Sequence, residues 1–274
     1  MDDLFSLNGQ VIIITGAAGL LGRQHAEAVA RAGGIPVLLD LQVQGVQAMA
    51  DDLHARFGVA ASAWAVDITD EAKIAENCAA LVARYGRIDG LVNNAANNPK
   101  VEGDGAKNFS RLENFPLEVW QADLAVGLTG AFLCAKHYGT VIARNAEGGC
   151  IVNISSDLGL IAPDQRLYRK AGLPEDQQPV KPVTYSVAKT GLIGLTRYLA
   201  TYWAERNVRC NVLCPGGVEN NQDPAFLREV TSRIPLGRLA QANEYQGALL
   251  FLLSAASSYV NGAVLAADGG RSAW

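Results

Sequence analysis

Short apolar runs alternate with amphipathic stretches from one end of this chain to the other. The runs that read as strands are Val11–Thr15, Pro36–Asp40, Ala63–Asp67, Gly90–Asn93, Cys150–Ser155, Arg209–Leu213 and Ala263–Ala267. Between them, apolar positions recur at helical spacing near 20–32, 42–57, 70–85, 117–144, 184–206 and 241–254. The strands are apolar without in–out alternation, as burial on both faces of a parallel sheet requires. Strand–helix alternation with no repeat and no low-complexity linker predicts one α/β domain over 1–274. Its expected form is Rossmann-type and doubly wound: a mostly parallel seven-stranded sheet with helices on both faces. Three stretches break the rhythm. Residues 95–116 form a polar loop with Asn97, Asn98, Pro99 and Lys100, and 215–235 follows the sixth strand irregularly. Residues 157–183 carry Pro163, Pro174, Pro179 and Pro182 and no convincing period. Loops this long in a compact domain are commonly lids or binding loops.

Composition narrows the setting. The chain has 274 residues, 49% hydrophobic and 18% charged, with mean hydropathy +0.10, a globular balance and not a disordered one. A net charge of −4 argues against a nucleic-acid or anionic-membrane partner. The longest apolar runs, such as Val11–Ile14 and Gly247–Leu253, are too short to span a bilayer. The start, Met-Asp-Asp-Leu-Phe, lacks the basic end and apolar stretch of a secretory leader, so a cytoplasmic location is expected. Five cysteines (Cys78, Cys134, Cys150, Cys210, Cys214) are an odd number without metal spacing and read as core thiols. His25, His54 and His137 are scattered, so no metal is expected. Asn153-Ile-Ser155 and Asn108-Phe-Ser110 match the glycosylation pattern, but the first sits inside a strand and neither is expected to be used.

Candidate chemistry concentrates at strand ends. Thr15-Gly16-Ala-Ala-Gly19-Leu-Leu21-Gly22 runs from a strand through glycines into a helix, a form that lets backbone amides approach a pyrophosphate. Asp40 ends the second strand, 18 positions beyond Gly22, where a carboxylate accepts from the adenosine ribose and repels a 2′-phosphate. No Arg or Lys occupies 17–21, so NAD is the expected cofactor over NADP. Asp67-Ile68 and Asn93-Asn94-Ala95 end the third and fourth strands, at the edge where a dinucleotide would lie; each also suits a plain turn. Tyr185 and Lys189 stand four apart on a helix and so share one face, where the ammonium favours the phenolate. Ser155-Ser156 closes the strand upstream.

Together these residues are similar to the motifs of the short-chain dehydrogenase/reductase family, compact branch. The resemblance extends through Pro215-Gly216, Pro235-Leu-Gly-Arg238 and Asp268-Gly-Gly270, nearly the whole chain. It implies hydride transfer between a nicotinamide and a secondary alcohol or ketone. Tyr185 would be the general acid/base, Lys189 the residue that binds the nicotinamide ribose and lowers the tyrosine pKa, and Ser156 the donor to the reacting oxygen, with Ser155 the alternative. It also implies cofactor contacts at Gly16, Gly19, Leu21, Gly22, Asp40, Asp67, Ile68, Asn94, Ala95, Tyr185, Lys189, Pro215, Gly216 and Val218. Family members associate through their long helices, so a homodimer or homotetramer is expected.

Three departures stand out. Leu20 lies where the compact branch has glycine, a spacing that resembles the larger sugar-nucleotide branch. Gly127 lies where an asparagine completes a catalytic tetrad; Asp123, one turn earlier, is either a stand-in or a solvated acid. Ser156 and Tyr185 are 29 positions apart, longer than the family's usual link. The extra residues, 157–183, are expected to cover the substrate, with Arg166, Arg169 and Lys170 meeting a carboxylate, phosphate or polyol. The expected substrate is therefore a polar, carbohydrate-derived small molecule, and the chain looks more loosely like reductases of flagellin and surface-sugar modification. Alternatives are a reductase of a hydrophobic ketone, or a regulatory protein that binds NAD(H) without turnover.

Overall fold

A computed structural model describes residues 4–97 and 110–274. Asn98, Pro99, Lys100 and Asn108, named above, lie outside the described residues. Seven strands, β1 (Val11–Thr15), β2 (Ile35–Asp40), β3 (Ser62–Ala65), β4 (Gly90–Asn93), β5 (Gly149–Ile154), β6 (Val208–Pro215) and β7 (Val264–Ala267), form one sheet in the order β3-β2-β1-β4-β5-β6-β7. Every pairing between neighbours is parallel. The order reverses between β1 and β4, the switch point at whose carboxyl ends sheets of this kind bind their ligands.

All five residues of β1 are buried, and alternate ones serve opposite layers. Ile12 and Ile14 join a core with Ala26 and Val29 of α1 (Leu20–Arg31), Leu53 of α2 (Val43–Phe57) and Leu249 of α9 (Gln246–Leu253). Val11 and Ile13 face Ile74 and Leu81 of α3 (Glu71–Tyr85), Leu133 of α5 (Gly130–Cys134) and Leu199 of α7 (Val183–Tyr202). Each such side chain contributes about 1.5–3 kcal/mol by leaving water. The unalternating runs in the sequence are thus covered on both sides. Asp70 starts α3 by accepting from the amides of Ala72 and Lys73.

The helix expected over 117–144 is a rod broken by two π-helical turns. It runs through α4 (Leu117–Leu124), Ala125–Thr129, α5, Ala135–Gly139 and α6 (Thr140–Ile142). Within it Gly130 and Gly139 pack where a Cβ would meet Ile68 and Trp203 at 2.7 Å. The stretch 215–235 holds a helix that the pattern missed, α8 (Pro224–Thr231), started by Asp223, which accepts from Ala225 and Phe226 amides. Residues 157–183 fold as three 3-10 turns. Leu167 and Tyr168 of this segment pack on Phe226, Leu227 and Val230 of α8, and Gln178 ties its middle together through Lys170 and Leu173.

Candidate active site

β1 leads into the glycine turn, and the turn is held tightly. Gly16 adopts φ +62°, and a Cβ on it would stand 2.8 Å from the Ala95 Cα. A Cβ on Gly22 would stand 2.3 Å from the Gly16 carbonyl oxygen, so α1 can lie this close only with glycine there. Gly19 precedes α1 and supplies no side-chain cap, which leaves the helix's positive end to an outside anion. The Thr15 hydroxyl accepts from the amides of Asn94 and Ala95, and Asn94 Nδ2 donates to the carbonyls of Thr15 and Gly16. Asp40 accepts from the Ala18 amide at 2.9 Å and the Gln42 amide at 3.2 Å, tying the end of β2 to the turn. Backbone amides at a helix start beside a carboxylate are a cradle that fits a dinucleotide.

The candidate reacting groups gather two strands away, after β5 and on α7. Tyr185 lies in the first turn of α7 and Lys189 one turn on, its Nζ donating to the Ile154 carbonyl at 2.8 Å. Ser156 follows β5; its hydroxyl donates to Asp157 Oδ1 at 2.8 Å and accepts from the Leu158 amide. Ser155 instead donates to the Lys189 carbonyl at 2.7 Å and so braces α7, while Ser156 is the one beside Tyr185. Burial raises the Tyr185 phenol above its usual range; bonding to Ser156 draws it down and the Asp157 carboxylate pushes it up. Burial brings Lys189 down to about 8. Two ammonium groups stand over the Tyr185 ring, Lys181 at 4.0 Å and Lys189 at 5.9 Å from its centroid. A hydroxyl, a phenol and a buried ammonium placed together can move a proton to or from a substrate oxygen.

Family models described as short chain dehydrogenase and as enoyl-(acyl carrier protein) reductase match residues 10–168 and 175–272. The chain belongs to the short-chain dehydrogenase/reductase family. It is an oxidoreductase of that family. It is 33% identical over 271 residues to D-threitol dehydrogenase of Mycolicibacterium smegmatis, covering 97% of this chain and 94% of that protein. It is 34% identical over 269 residues to trans-4-hydroxycyclohexanecarboxylate dehydrogenase of Sinomonas cyclohexanicum, covering 96% and 93%. Among solved structures, a gluconate 5-dehydrogenase from Burkholderia cenocepacia in complex with NADP and tartrate superposes with TM-score 0.86 at 29% identity, covering 99% and 98%.

In this short-chain dehydrogenase/reductase the remaining sequence candidates fall as follows. Asp67 is exposed, and its Oδ1 accepts from the Thr69 amide and hydroxyl; Ile68 is buried against the rod at Gly130. Leu21 and Val218 pack on the core cluster of α1 and α9. Pro215 ends β6, and Gly216 passes so near Asp268 that a Cβ would stand 2.8 Å from its Cα. Arg166 and Arg169, expected at the substrate, form ion pairs on the surface of the 157–183 segment. Arg166 spends its guanidinium on Asp164 and is 75% exposed, and Arg169 pairs with Glu175. Neighbouring carboxylates claim both, and the cation that 157–183 brings to Tyr185 is Lys181. Asp123 is half-buried: it accepts from Thr184 at 2.6 Å and Asn97 at 3.2 Å, and with Gly127, Tyr185 and Lys189 it lines a cavity of about 10 Å³.

Three groups at this end were missed: Asp157, Lys181 and Arg271. Asp157 adjoins Ser156 and Lys181 stands four before Tyr185, so position alone offered a signal for those two. Arg271 is far off in sequence, yet its Nη1 donates to Asp157 Oδ2 at 2.7 Å. Among the described residues no group of three or more His, Cys, Asp or Glu is placed to hold a metal, and no helix is long and apolar enough to cross a membrane. All five cysteines are buried thiols.

Proposed function

We propose that this short-chain dehydrogenase/reductase, acting as a single domain, interconverts a secondary alcohol and a ketone on a polar, carbohydrate-derived substrate with NAD(H). The observation that carries the reading is the convergence of Ser156, Tyr185 and Lys189 at the carboxyl edge of the sheet, near the glycine turn. The amides that open α1 hold the pyrophosphate, Asp40 the adenosine ribose, and Lys189 the nicotinamide ribose. The nicotinamide, when bound, supplies the hydride acceptor or donor. Tyr185, as phenolate, takes the hydroxyl proton in oxidation and returns it in reduction. Lys189 favours the phenolate, and Ser156 donates to the substrate oxygen as charge develops there.

NAD is favoured because Asp40 would repel a 2′-phosphate and no Lys or Arg stands at 17–21 or 41–44 to receive one. The gluconate 5-dehydrogenase complex holds NADP, so cofactor choice is part of the test. A polar substrate is supported by the charged groups around Tyr185 (Asp157, Lys181 and Arg271) and by relatives named for threitol and gluconate. Exposed Phe132, Tyr198 and Tyr202 on the long helices support self-association into a dimer or tetramer. The five thiols fit the reducing cytoplasm.

The test is a panel of polyols, aldonates and hydrophobic alcohols with NAD and NADP. Tyr185→Phe should lose turnover by about 10²–10⁴-fold with NADH affinity unchanged. Asp40→Ala should erode the preference for NAD. Turnover surviving in Tyr185→Phe, or full NAD preference surviving in Asp40→Ala, would overturn the respective assignment. NADH binding with no turnover across the panel would favour a regulatory protein.

A further inference from the structure

A hydroxyl has one proton to give, and Ser156 gives it to Asp157 Oδ1. To steady charge on Tyr185 or on a substrate oxygen, that proton must turn away from the carboxylate. Asp157 is gripped on its other oxygen by Arg271, and the two side chains are 4% and 10% exposed. So buried a pair is a poor source of stability, because drawing two charges from water costs several kcal/mol per ion. Arg271 is also deliberately presented. It belongs to the C-terminal turn Arg271–Ala273, which Asp268 fastens by accepting from the Gly270 amide at 2.9 Å and the Ser272 amide at 2.8 Å. The line of contact runs from that turn through Arg271 and Asp157 to Ser156 and Tyr185.

We propose that Arg271 is a positioning residue for the reaction: by competing for Asp157 it loosens that carboxylate's hold on the Ser156 proton and screens its charge from Tyr185. A carboxylate already neutralised by a guanidinium is a weaker acceptor than a bare buried one. Both effects act in one direction. A freed Ser156 proton stabilises the phenolate, and a screened Asp157 opposes it less. The other groups around Tyr185 are Lys189 on its own helix, Lys181 just before it, Tyr168 from the 157–183 segment, and Asp123 from α4 across the small cavity. Lys181 and Tyr168 feel the charge of Asp157, and Arg271 is the cation that hydrogen-bonds its carboxylate. No atom is exchanged in this step; Ser156 keeps its proton and changes its acceptor.

The inference rests on Tyr185 and Ser156 as the proton-handling pair, and it is read without a substrate. The measurement is the near-ultraviolet phenolate absorbance titrated against pH, taken as the difference between each protein and the same protein carrying Tyr185→Phe. Arg271→Met should hold about tenfold less phenolate at a fixed pH. Asp157→Asn placed in that background should restore the parent's titration, and Arg271→Lys should stay close to the parent. Ser156→Ala should lower the phenolate in the parent and have little effect in Arg271→Met. If Arg271→Met does not fold, Arg271→Gln decides in its place and should likewise lower the phenolate. An Arg271→Met titration equal to the parent's, or an Asp157→Asn change that moves nothing, overturns the inference. Turnover surviving in Tyr185→Phe would instead bring down the acid/base reading, a separate outcome.

Discussion

Replacing His25 with leucine should flatten the acid side of this protein's stability profile. His25 lies in α1 with no exposed surface, and neither ring nitrogen has a hydrogen-bond partner among the described residues. Burial lowers its pKa from 6.5 to about 4. The unfolded chain therefore binds the proton more tightly than the folded one, and stability falls as pH drops from about 6.5 toward 4. The full gap converts to about 3 kcal/mol, of which about 2 is lost by about pH 5. Above pH 6.5 the group is neutral in both states and contributes nothing to the slope. Two unmade hydrogen bonds remain a cost at any pH, on the order of 1–3 kcal/mol each, so leucine should be tolerated or stabilising at neutral pH. Urea unfolding of both proteins at about pH 7.5 and about pH 5 measures the difference, and carboxylates that titrate in both cancel. The parent should lose about 2 kcal/mol more than His25→Leu between the two conditions. Equal losses would refute the reasoning, as would an imidazole that titrates near 6.5 by NMR.

Two further substitutions probe the site. Gly22→Ala puts a Cβ 2.3 Å from the Gly16 carbonyl oxygen and 2.8 Å from the Ala17 Cα, so the glycine turn must shift. NADH affinity by fluorescence titration should fall at least about tenfold and stability by about 1–3 kcal/mol; unchanged affinity would remove the turn from the cofactor site. Gly127→Asn brings a Cβ 3.2 Å from that of Ala188, a contact the helices can relieve by a few tenths of an ångström. Its turnover should stay within about tenfold of the parent, and abolished turnover would show that the proton path needs the space Gly127 leaves.

The fold was legible because its signals are local and agree. Val11-Ile-Ile-Ile14 is apolar at every position, which only a two-sided core rewards, and the glycine turn after Thr15 marks the switch point. α8 escaped because the stretch around it is loop-like, although Asp223-Pro224, a cap with proline in the first turn, was its local sign. The π turns at Ala125–Thr129 and Ala135–Gly139 leave no comparable trace, since they answer to packing against neighbours distant in sequence. Spacing carries the geometry of Tyr185 and Lys189, which share one face of α7, whereas Ser156 reaches Tyr185 only through the fold. The pairings of Arg166 and Arg169 were less legible, because a mixed cluster of charges does not say which carboxylate each cation will meet. Asp164 and Glu175, within six positions, take both.

What spacing cannot carry is the charge balance at Tyr185. A helical Tyr–Lys pair predicts a phenol pulled toward its anion, yet burial and Asp157 push the other way. The outcome depends on which cations offset them, and these come from separate places: Lys189 from α7, Lys181 from the end of the 157–183 segment, Arg271 from the C-terminal turn. The long link between Ser156 and Tyr185 thus has a consequence at the tyrosine itself. It puts Lys181 over the Tyr185 ring and brings Tyr168 within the field of Asp157 and Arg271, so this segment takes part in setting how readily the Tyr185 phenol gives up a proton.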